Sequence, residues 1–183
     1  MQEKEKMLSG KLYNPLLDGL LEDRENTKKL CYDYNLLSPE KVEEKQNIIK
    51  KLFNKTGQNF TIEPTFYCDY GYNIEIGENF YSNHNLVILD PAKVSFGDNV
   101  FIGPNCGFYT PEHPINAEER NKGLEYAKPI TVGNNVWIGG GVSVLSGVSI
   151  GDNVVIGAGS VVVKDIPANT VAVGNPCKVI KNI

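Results

Sequence analysis

From about Asn59 onward the apolar positions follow neither a helical nor a simple strand period. Val132, Ile138, Val144, Ile150, Ile156 and Val162 are aliphatics at an unbroken spacing of six. Two positions earlier, Ile130, Val136, Val142, Val148 and Val154 form a second series, with Ser160 next in line. Six residues suit a short strand plus a sharp corner. Three such units close a triangular coil of eighteen residues, its aliphatics turned into a narrow interior, and stacked coils pair strand on strand at about 4.8 Å.

A longer repeat carries the same message. Four segments share one pattern, apolar-any-apolar-Gly-polar-Asn-apolar. They are Ile74-Glu75-Ile76-Gly77-Glu78-Asn79-Phe80, Val94-Ser95-Phe96-Gly97-Asp98-Asn99-Val100, Ile130-Thr131-Val132-Gly133-Asn134-Asn135-Val136 and Val148-Ser149-Ile150-Gly151-Asp152-Asn153-Val154. Their starts lie 20, 36 and 18 residues apart, so the second interval holds an extra coil's length. A further 18 beyond Val148 lands on Ile166, where Pro167 is expected to close the repeat. Gly and Asn at the corners point to positive φ or tight backbone approach. Internal repeats of this kind build a solenoid.

Residues 1–57 read differently. They hold 10 acidic and 11 basic side chains, 21 of the 40 charges in the chain. The pattern predicts one helix from about Leu17 to Leu36. A second starts at Ser38-Pro39-Glu40, with Val42, Ile49, Leu52 and Phe53 on one face and Gly57 as the stop. The chain divides into a helical segment, 1–57, and a repeat region, 58–183, with an inserted loop at about 109–129.

Composition narrows the function classes. The 183 residues carry a net charge of −4, which argues against a general nucleic-acid binder. No apolar stretch is long enough to span a bilayer. The charged start, Met1-Gln2-Glu3-Lys4-Glu5-Lys6, argues against a secretory signal, so a cytoplasmic location is expected. Cys31, Cys68, Cys106 and Cys177 show no C-x-x-C spacing and read as free thiols. Only two histidines, His84 and His113, are present, too few for a three-histidine zinc site. No metal requirement is expected.

The insertion is the leading candidate for chemistry, because long excursions from rigid scaffolds are usually functional. It carries His113 between Pro111 and Pro114. A histidine near its ordinary pKa of about 6.5 takes a proton from a hydroxyl at neutral pH. His84 is the rival, placed in a corner column with Pro104, Gly140 and Ala158. Asn83 interrupts a column of Gly103, Gly139 and Gly157, which predicts a left-handed corner and a side-chain amide available to an oxyanion. Gly140 and Ala158, small and stacked on successive coils, leave a groove wide enough for a thin chain. Lys164, Lys178 and Lys181 are three of only seven basic residues after position 57, a local cluster suited to an anionic ligand. Read alone, each feature has a plain structural alternative: corner packing, a surface loop histidine, a solvated lysine.

The run Val132 to Val163 resembles the hexapeptide-repeat acyltransferases, whose fold is a left-handed parallel β-helix. The whole chain is similar, more narrowly, to the maltose/galactoside O-acetyltransferases. The resemblance is carried by Glu5-Lys6-Met7-Leu8-Ser9-Gly10-Lys11-Leu12-Tyr13, Asp69-Tyr70-Gly71-Tyr72-Asn73-Ile74, Asn79-Phe80-Tyr81-Ser82-Asn83, His113-Pro114, Asn135-Val136-Trp137-Ile138-Gly139, Lys164-Asp165-Ile166-Pro167 and Gly174-Asn175-Pro176. It implies a mainly β chain with a small helical start, acting as an acetyl-CoA-dependent O-acetyltransferase on a small sugar. It also implies a homotrimer with active sites between subunits. Further, it implies His113 as general base and Asn83 as oxyanion donor. Gly140, Ala158, Val163, Lys164, Lys178 and Lys181 would contact coenzyme A, and Asp69, Tyr81, Asn83 and Asp90 would contact the sugar. Lys178 and Lys181 stand where the family commonly has arginine, so phosphate would meet point charges rather than bidentate forks. Glu125 is a candidate to orient the His113 ring through a carboxylate bond. A hexapeptide acetyltransferase for serine or an antibiotic, and a non-catalytic solenoid, are the alternatives. The scaffold reading leaves the histidine-bearing insertion unexplained.

Overall fold

Packing of the two aliphatic series decides the architecture. The structure, a computed structural model, describes residues 1–183. Every member of the two series, Ser160 included, is buried. Ser160 satisfies its hydroxyl by donating to the Gly157 carbonyl at 2.6 Å and accepting from the Gly174 N–H at 3.0 Å.

Short parallel strands stack into three flat faces. The first face contains Phe60–Ile62, Phe80–Ser82, Phe101–Ile102, Trp137–Ile138, Val155–Ile156 and Thr170–Val173. The second contains Phe66–Cys68, Leu86–Leu89, Gly107–Tyr109, Ser143–Leu145 and Val161–Val162. The third contains Ile74–Glu75, Val94–Phe96, Ile130–Val132 and Ser149–Ile150. On the first face, Thr61, Tyr81, Phe101, Trp137, Val155 and Val171 pair in succession at steps of 20, 20, 36, 18 and 16. The long step spans the insertion. The last coil is short: Ile166 bridges to Ile150, sixteen residues back, rather than to Val148 as an even period predicts.

Asn and Gly divide the corner work. Asn79, Asn99, Asn135, Asn153 and Asn169 all sit at φ 54–60°, a conformation asparagine tolerates. Their side chains link successive coils, Asn79 Nδ2 donating to Asn99 Oδ1 at 2.9 Å and Asn99 Nδ2 to Asn135 Oδ1 at 3.2 Å. The neighbouring Gly57, Gly77, Gly97, Gly133 and Gly151 have ordinary φ and are needed for space. A Cβ on Gly77 would stand 2.5 Å from the Gly97 carbonyl oxygen.

The helices close one end of the stack. Helix Leu20–Leu36 buries Leu20, Thr27, Cys31 and Tyr34. Its Asn35 side chain donates to the Phe66 carbonyl and accepts from the Phe66 N–H, so the first coil's strand edge is paired. The helix starts three residues later than the pattern predicts, because Asp18 and Gly19 adopt positive φ. The next helix, Val42–Leu52, starts after Ser38-Pro39-Glu40, which form a turn with the Ser38 hydroxyl on the Glu40 carboxylate. It stops at Leu52, five residues before Gly57. A short helix, Glu3–Leu8, precedes them. At the other end, Lys178–Asn182 folds back antiparallel on Thr170–Val173 and covers the last edge. All four cysteines are free and buried.

Gly77→Ala is expected to destabilise by about 1–3 kcal/mol, because even if the Asp98 side chain moved away, the Gly97 carbonyl is backbone and cannot swing aside. Denaturant unfolding measures it, and an unchanged midpoint would contradict the close-approach argument.

Candidate active site

Two corners of the prism gather the candidate residues. At the corner between the first and second faces, His84, Pro104, Gly140 and Ala158 stack in one column. The bonds are Asn105 N–H to His84 O at 2.9 Å, Gly141 N–H to Pro104 O at 2.8 Å and Gly159 N–H to Gly140 O at 2.9 Å. One residue earlier stand Asn83, Gly103, Gly139 and Gly157. None of them has positive φ, which corrects the left-handed corner expected at Asn83. The glycines are required because the next coil is too near: a Cβ on Gly139 would lie 2.6 Å from the Ala158 nitrogen.

Asn83 is half-buried, and its amide is polarised by geometry. The His84 N–H can only donate, and it donates to Asn83 Oδ1 at 2.7 Å. Nδ2 is thereby turned away and has no hydrogen-bond partner in the chain. Asn83 lines a groove together with Tyr81, Phe101, Ile102, Gly103 and Trp137. Trp137 is 60% exposed and Phe101 49%. Sequence reasoning did not assign these two aromatics to the site. The signal was available: both precede an inward aliphatic by one residue, so both face outward. His84 lies beside the groove with Nδ1 donating to the Pro64 carbonyl.

The insertion leaves at the other corner, between the second and third faces. Its root is a two-stranded ribbon, Pro111–Glu112 against Tyr126–Ala127. Glu112 clamps the root by accepting from Tyr126 Oη at 2.7 Å, Lys128 Nζ at 3.0 Å and the Ser146 hydroxyl. The tip carries a four-residue helix, Ala117–Arg120, capped by Asn116. His113 sits just beyond the ribbon with its side chain 53% exposed. Nδ1 lies 3.1 Å from the Leu124 carbonyl oxygen. A carbonyl only accepts, so Nδ1 carries the hydrogen and Nε2 keeps its lone pair. The carboxylate of Glu125 lies 4.0 Å from Nε2, beyond hydrogen-bond length. The ring is therefore oriented by a backbone carbonyl and not, as the sequence suggested, by Glu125. Glu125 itself is held by Tyr13, whose hydroxyl donates to Oε2 at 2.8 Å. Tyr13 was not recognised as a site residue from the sequence, since the contact spans 112 positions.

The candidate sugar residues separate. Asp69 is half-buried, and burial pushes its carboxyl up to about 6, against the pull of Arg24 and with a further push from Glu125. Tyr81 lines the Asn83 groove. Asp90 is fully buried and cannot meet a sugar. It accepts the N–H groups of Asp69 at 3.0 Å, Tyr70 at 2.9 Å and Asn73 at 3.4 Å, and so shapes the turn that presents Asp69. Burial pushes its carboxyl up to about 7, although those donors pull down.

The candidate coenzyme positions lie on the last coils but not in one groove of one chain. Gly140 and Ala158 are at the first corner. Val163 and Lys164 are exposed at the second, where Val163 shares a cleft with Tyr109, Pro111, Glu112, Leu145 and Ser146. Lys178 and Lys181 are exposed on the closing strand, opposite Val173 and Val171. No three His, Cys, Asp or Glu side chains converge as a metal site. No helix is long and apolar enough to cross a membrane.

Comparison with known proteins adds a second line. Residues 6–57 match the maltose acetyltransferase hexapeptide capping motif, and residues 129–164 match the bacterial transferase hexapeptide family of six repeats. The galactoside O-acetyltransferase of Escherichia coli strain K12 is 49% identical over 183 residues, 100% of this chain and 90% of that one. The crystal structure of a maltose O-acetyltransferase from Clostridium difficile 630 superposes with a TM-score of 0.99 at 53% identity, covering 100% of this chain and 98% of the other. A galactoside acetyltransferase in complex with coenzyme A gives 0.97 at 49% identity, covering 100% and 92%. The solenoid is the left-handed parallel β-helix of these relatives.

A carboxyl raised by burial binds its proton in the folded chain while the unfolded chain has released it. Stability therefore falls as pH rises from the ordinary carboxylate range through the folded value. Asp90→Asn removes that loss at its position. The variant is expected to gain stability relative to the parent as pH rises from about 4 to about 7, read as the difference in denaturant midpoints. A difference independent of pH would contradict the raised carboxyl.

Proposed function

The chain belongs to the maltose and galactoside O-acetyltransferases of the hexapeptide-repeat family, and from that premise we propose that it transfers the acetyl group of acetyl-CoA directly to a hydroxyl of a small sugar. The observation that carries the mechanism is the fixed tautomer of His113, with Nδ1–H on the Leu124 carbonyl and Nε2 unoccupied. Nε2 accepts the sugar hydroxyl's proton as that oxygen attacks the thioester carbonyl. The negative charge that develops on the carbonyl oxygen is met by the unpartnered Nδ2 of Asn83. As the intermediate collapses, the C–S bond breaks and the CoA thiolate leaves, taking the proton from the imidazolium. Glu125, 4.0 Å from Nε2, attracts the imidazolium while that proton is held. No acyl-enzyme is needed.

Gly140 and Ala158 provide the smooth corner for the pantetheine arm. Val163 flanks it, and Lys164, Lys178 and Lys181 meet the phosphates. Asp69 and Tyr81 serve the sugar, the carboxyl binding hydroxyls and the ring packing on a sugar face.

A homotrimer with shared sites is supported by where these groups stand. His113 and Asn83 leave the prism at different corners, so a site using both draws them from two protomers. The outward positions support that assembly. Tyr81, Phe101, Trp137, Val155 and Val171 run down the first face. Leu89, Tyr109, Leu145 and Val163 lie along the second. On the third, Glu75, Ser95, Thr131 and Ser149 are polar. Two apolar faces and one polar suit a protomer with a neighbour on each side and water on the third.

His113→Ala is expected to lower kcat by about 10²–10⁴, with KM for acetyl-CoA little changed, in a thiol-release assay across glucose, maltose, galactosides and thiogalactosides. Near-full turnover of that variant would refute the base assignment, and no thiol release with any of these sugars would refute the acceptor class. Mixing offers a second check. In trimers reassembled from equal amounts of His113→Ala and Asn83→Ala chains, about a quarter of the shared sites hold both intact residues. Activity should reappear to about that fraction, whereas sites contained within one chain would stay inactive.

A further inference from the structure

Three hydrogen bonds tie the N-terminal segment to one residue of the insertion. The Tyr13 N–H donates to the Glu125 carbonyl at 2.9 Å, and the Glu125 N–H donates to the Tyr13 carbonyl at 3.0 Å. The Tyr13 hydroxyl donates to Glu125 Oε2 at 2.8 Å. Tyr13 is itself anchored. It is 1% exposed, in a small core with Met7, Leu20 and Tyr70 that is separate from the solenoid interior.

The far side of that residue pair holds the imidazole. Leu124 O takes the Nδ1 hydrogen, and Glu125 Oε1 faces Nε2. Between His113 and Leu124 the loop is mainly exposed, with Ile115 pointing into solvent. The Glu112 clamp fixes the root of the ribbon but touches neither Leu124 nor Glu125. The limb that contacts both ring nitrogens is therefore fixed laterally by Tyr13.

We propose that Tyr13 is a positioning residue for the transfer reaction, fixing the limb whose Leu124 carbonyl orients the His113 ring and whose Glu125 charge steadies that ring when it is protonated. The N-terminal segment is then part of the catalytic apparatus as well as a cap on the coil. Tyr13 keeps its hydroxyl hydrogen, since burial and the Glu125 charge both push its ionisation well above the ordinary range. The other charged groups facing this cluster are Asp69, with Arg24 and Lys28 beyond it. None of them makes a hydrogen bond to Glu125. Without the Tyr13 hydroxyl, the Glu125 carboxylate has no fixed donor, and the attraction that steadies the imidazolium is diluted over several rotamers. The loss falls on the step in which the ring is charged, so it appears in kcat and not in coenzyme binding.

This inference rests on His113 acting as the base. The full-length chain, assembled as it purifies, is compared as parent, Tyr13→Phe, Glu125→Gln, the double variant and His113→Ala, with rates normalised to folded protein. Tyr13→Phe keeps the buried ring and is expected to lower kcat about tenfold with KM for acetyl-CoA unchanged. The double variant should be no slower than Glu125→Gln alone, because the hydroxyl acts through that carboxylate. A normalised kcat within about twofold of the parent, or single effects that multiply in the double variant, would overturn the role of Tyr13. If His113→Ala is slow while Tyr13→Phe is fast, the positioning role alone falls. If His113→Ala turns over like the parent, the base assignment falls and the role of Tyr13 falls with it.

Discussion

Closure of a three-sided coil on a core one side chain wide is the constraint everything else obeys. The interior takes mainly aliphatic or aromatic side chains of matched size at each sixth position, and the one serine of the series, Ser160, enters with its hydroxyl paired. Their ring-on-ring and chain-on-chain stacking fixes each coil over the last. Phe96, for example, packs edge to face between Phe80 and Phe108, at centroid distances of 5.2 and 4.9 Å. With the interior filled so regularly, the corners carry the conformational cost. They meet it with asparagines at positive φ and with glycines that let backbone approach backbone. A protein built this way has rigid faces and little internal room for a ligand. Binding has to occur along the corners and against material that leaves the coil.

That consequence explains the separation of roles. The corner between the first and second faces presents a smooth column of small residues and one amide with free hydrogens. The next corner emits the loop with the imidazole. The helical segment packs on the end of the stack and reaches the loop's return limb through Tyr13. Each part is simple, and the proposed chemistry needs parts from different regions, and from different protomers, to meet. Asp90 shows the same economy within one chain. A residue with the chemistry of a sugar ligand is instead the buried clamp that shapes the turn carrying Asp69.

Much of the fold was legible because its signal is local and repeated. Spacing six, the Gly-Asn corners and the length of the insertion are readable without knowing any contact, and His113 stands out because histidine is rare in this chain. What was not legible depends on distant partners. Asn83 sits in a glycine column, but whether those glycines serve φ or space is decided by the neighbouring coil, which from Gly103 lies 36 residues away at Gly139. The backbone donors to Asp90 lie 17 to 21 positions away, and Tyr13 and Glu125 are 112 apart. The helix boundaries were misjudged because Ser38-Pro39-Glu40 looks like a helix start, whereas the chain uses it for a turn that lets Ile49 and Leu52 reach the core.

The way His113 is held has a chemical logic that a carboxylate partner on Nδ1 would not share. The Leu124 carbonyl fixes the tautomer without placing a full charge against the ring. The full charge, on Glu125, is on the Nε2 side and is too far away to take a hydrogen bond. Its attraction for an imidazolium persists at 4.0 Å, because Coulomb energy falls only with the first power of distance, while a hydrogen bond is lost well before that separation. The lone pair is thus not occupied by an internal partner, as the proposed proton transfer from the acceptor's hydroxyl requires. A shorter Glu125 contact would hold the charged ring more firmly and would also compete with substrate for the same nitrogen. In the proposed arrangement Tyr13, 112 positions earlier in the chain, fixes Glu125 from behind and so maintains that intermediate distance.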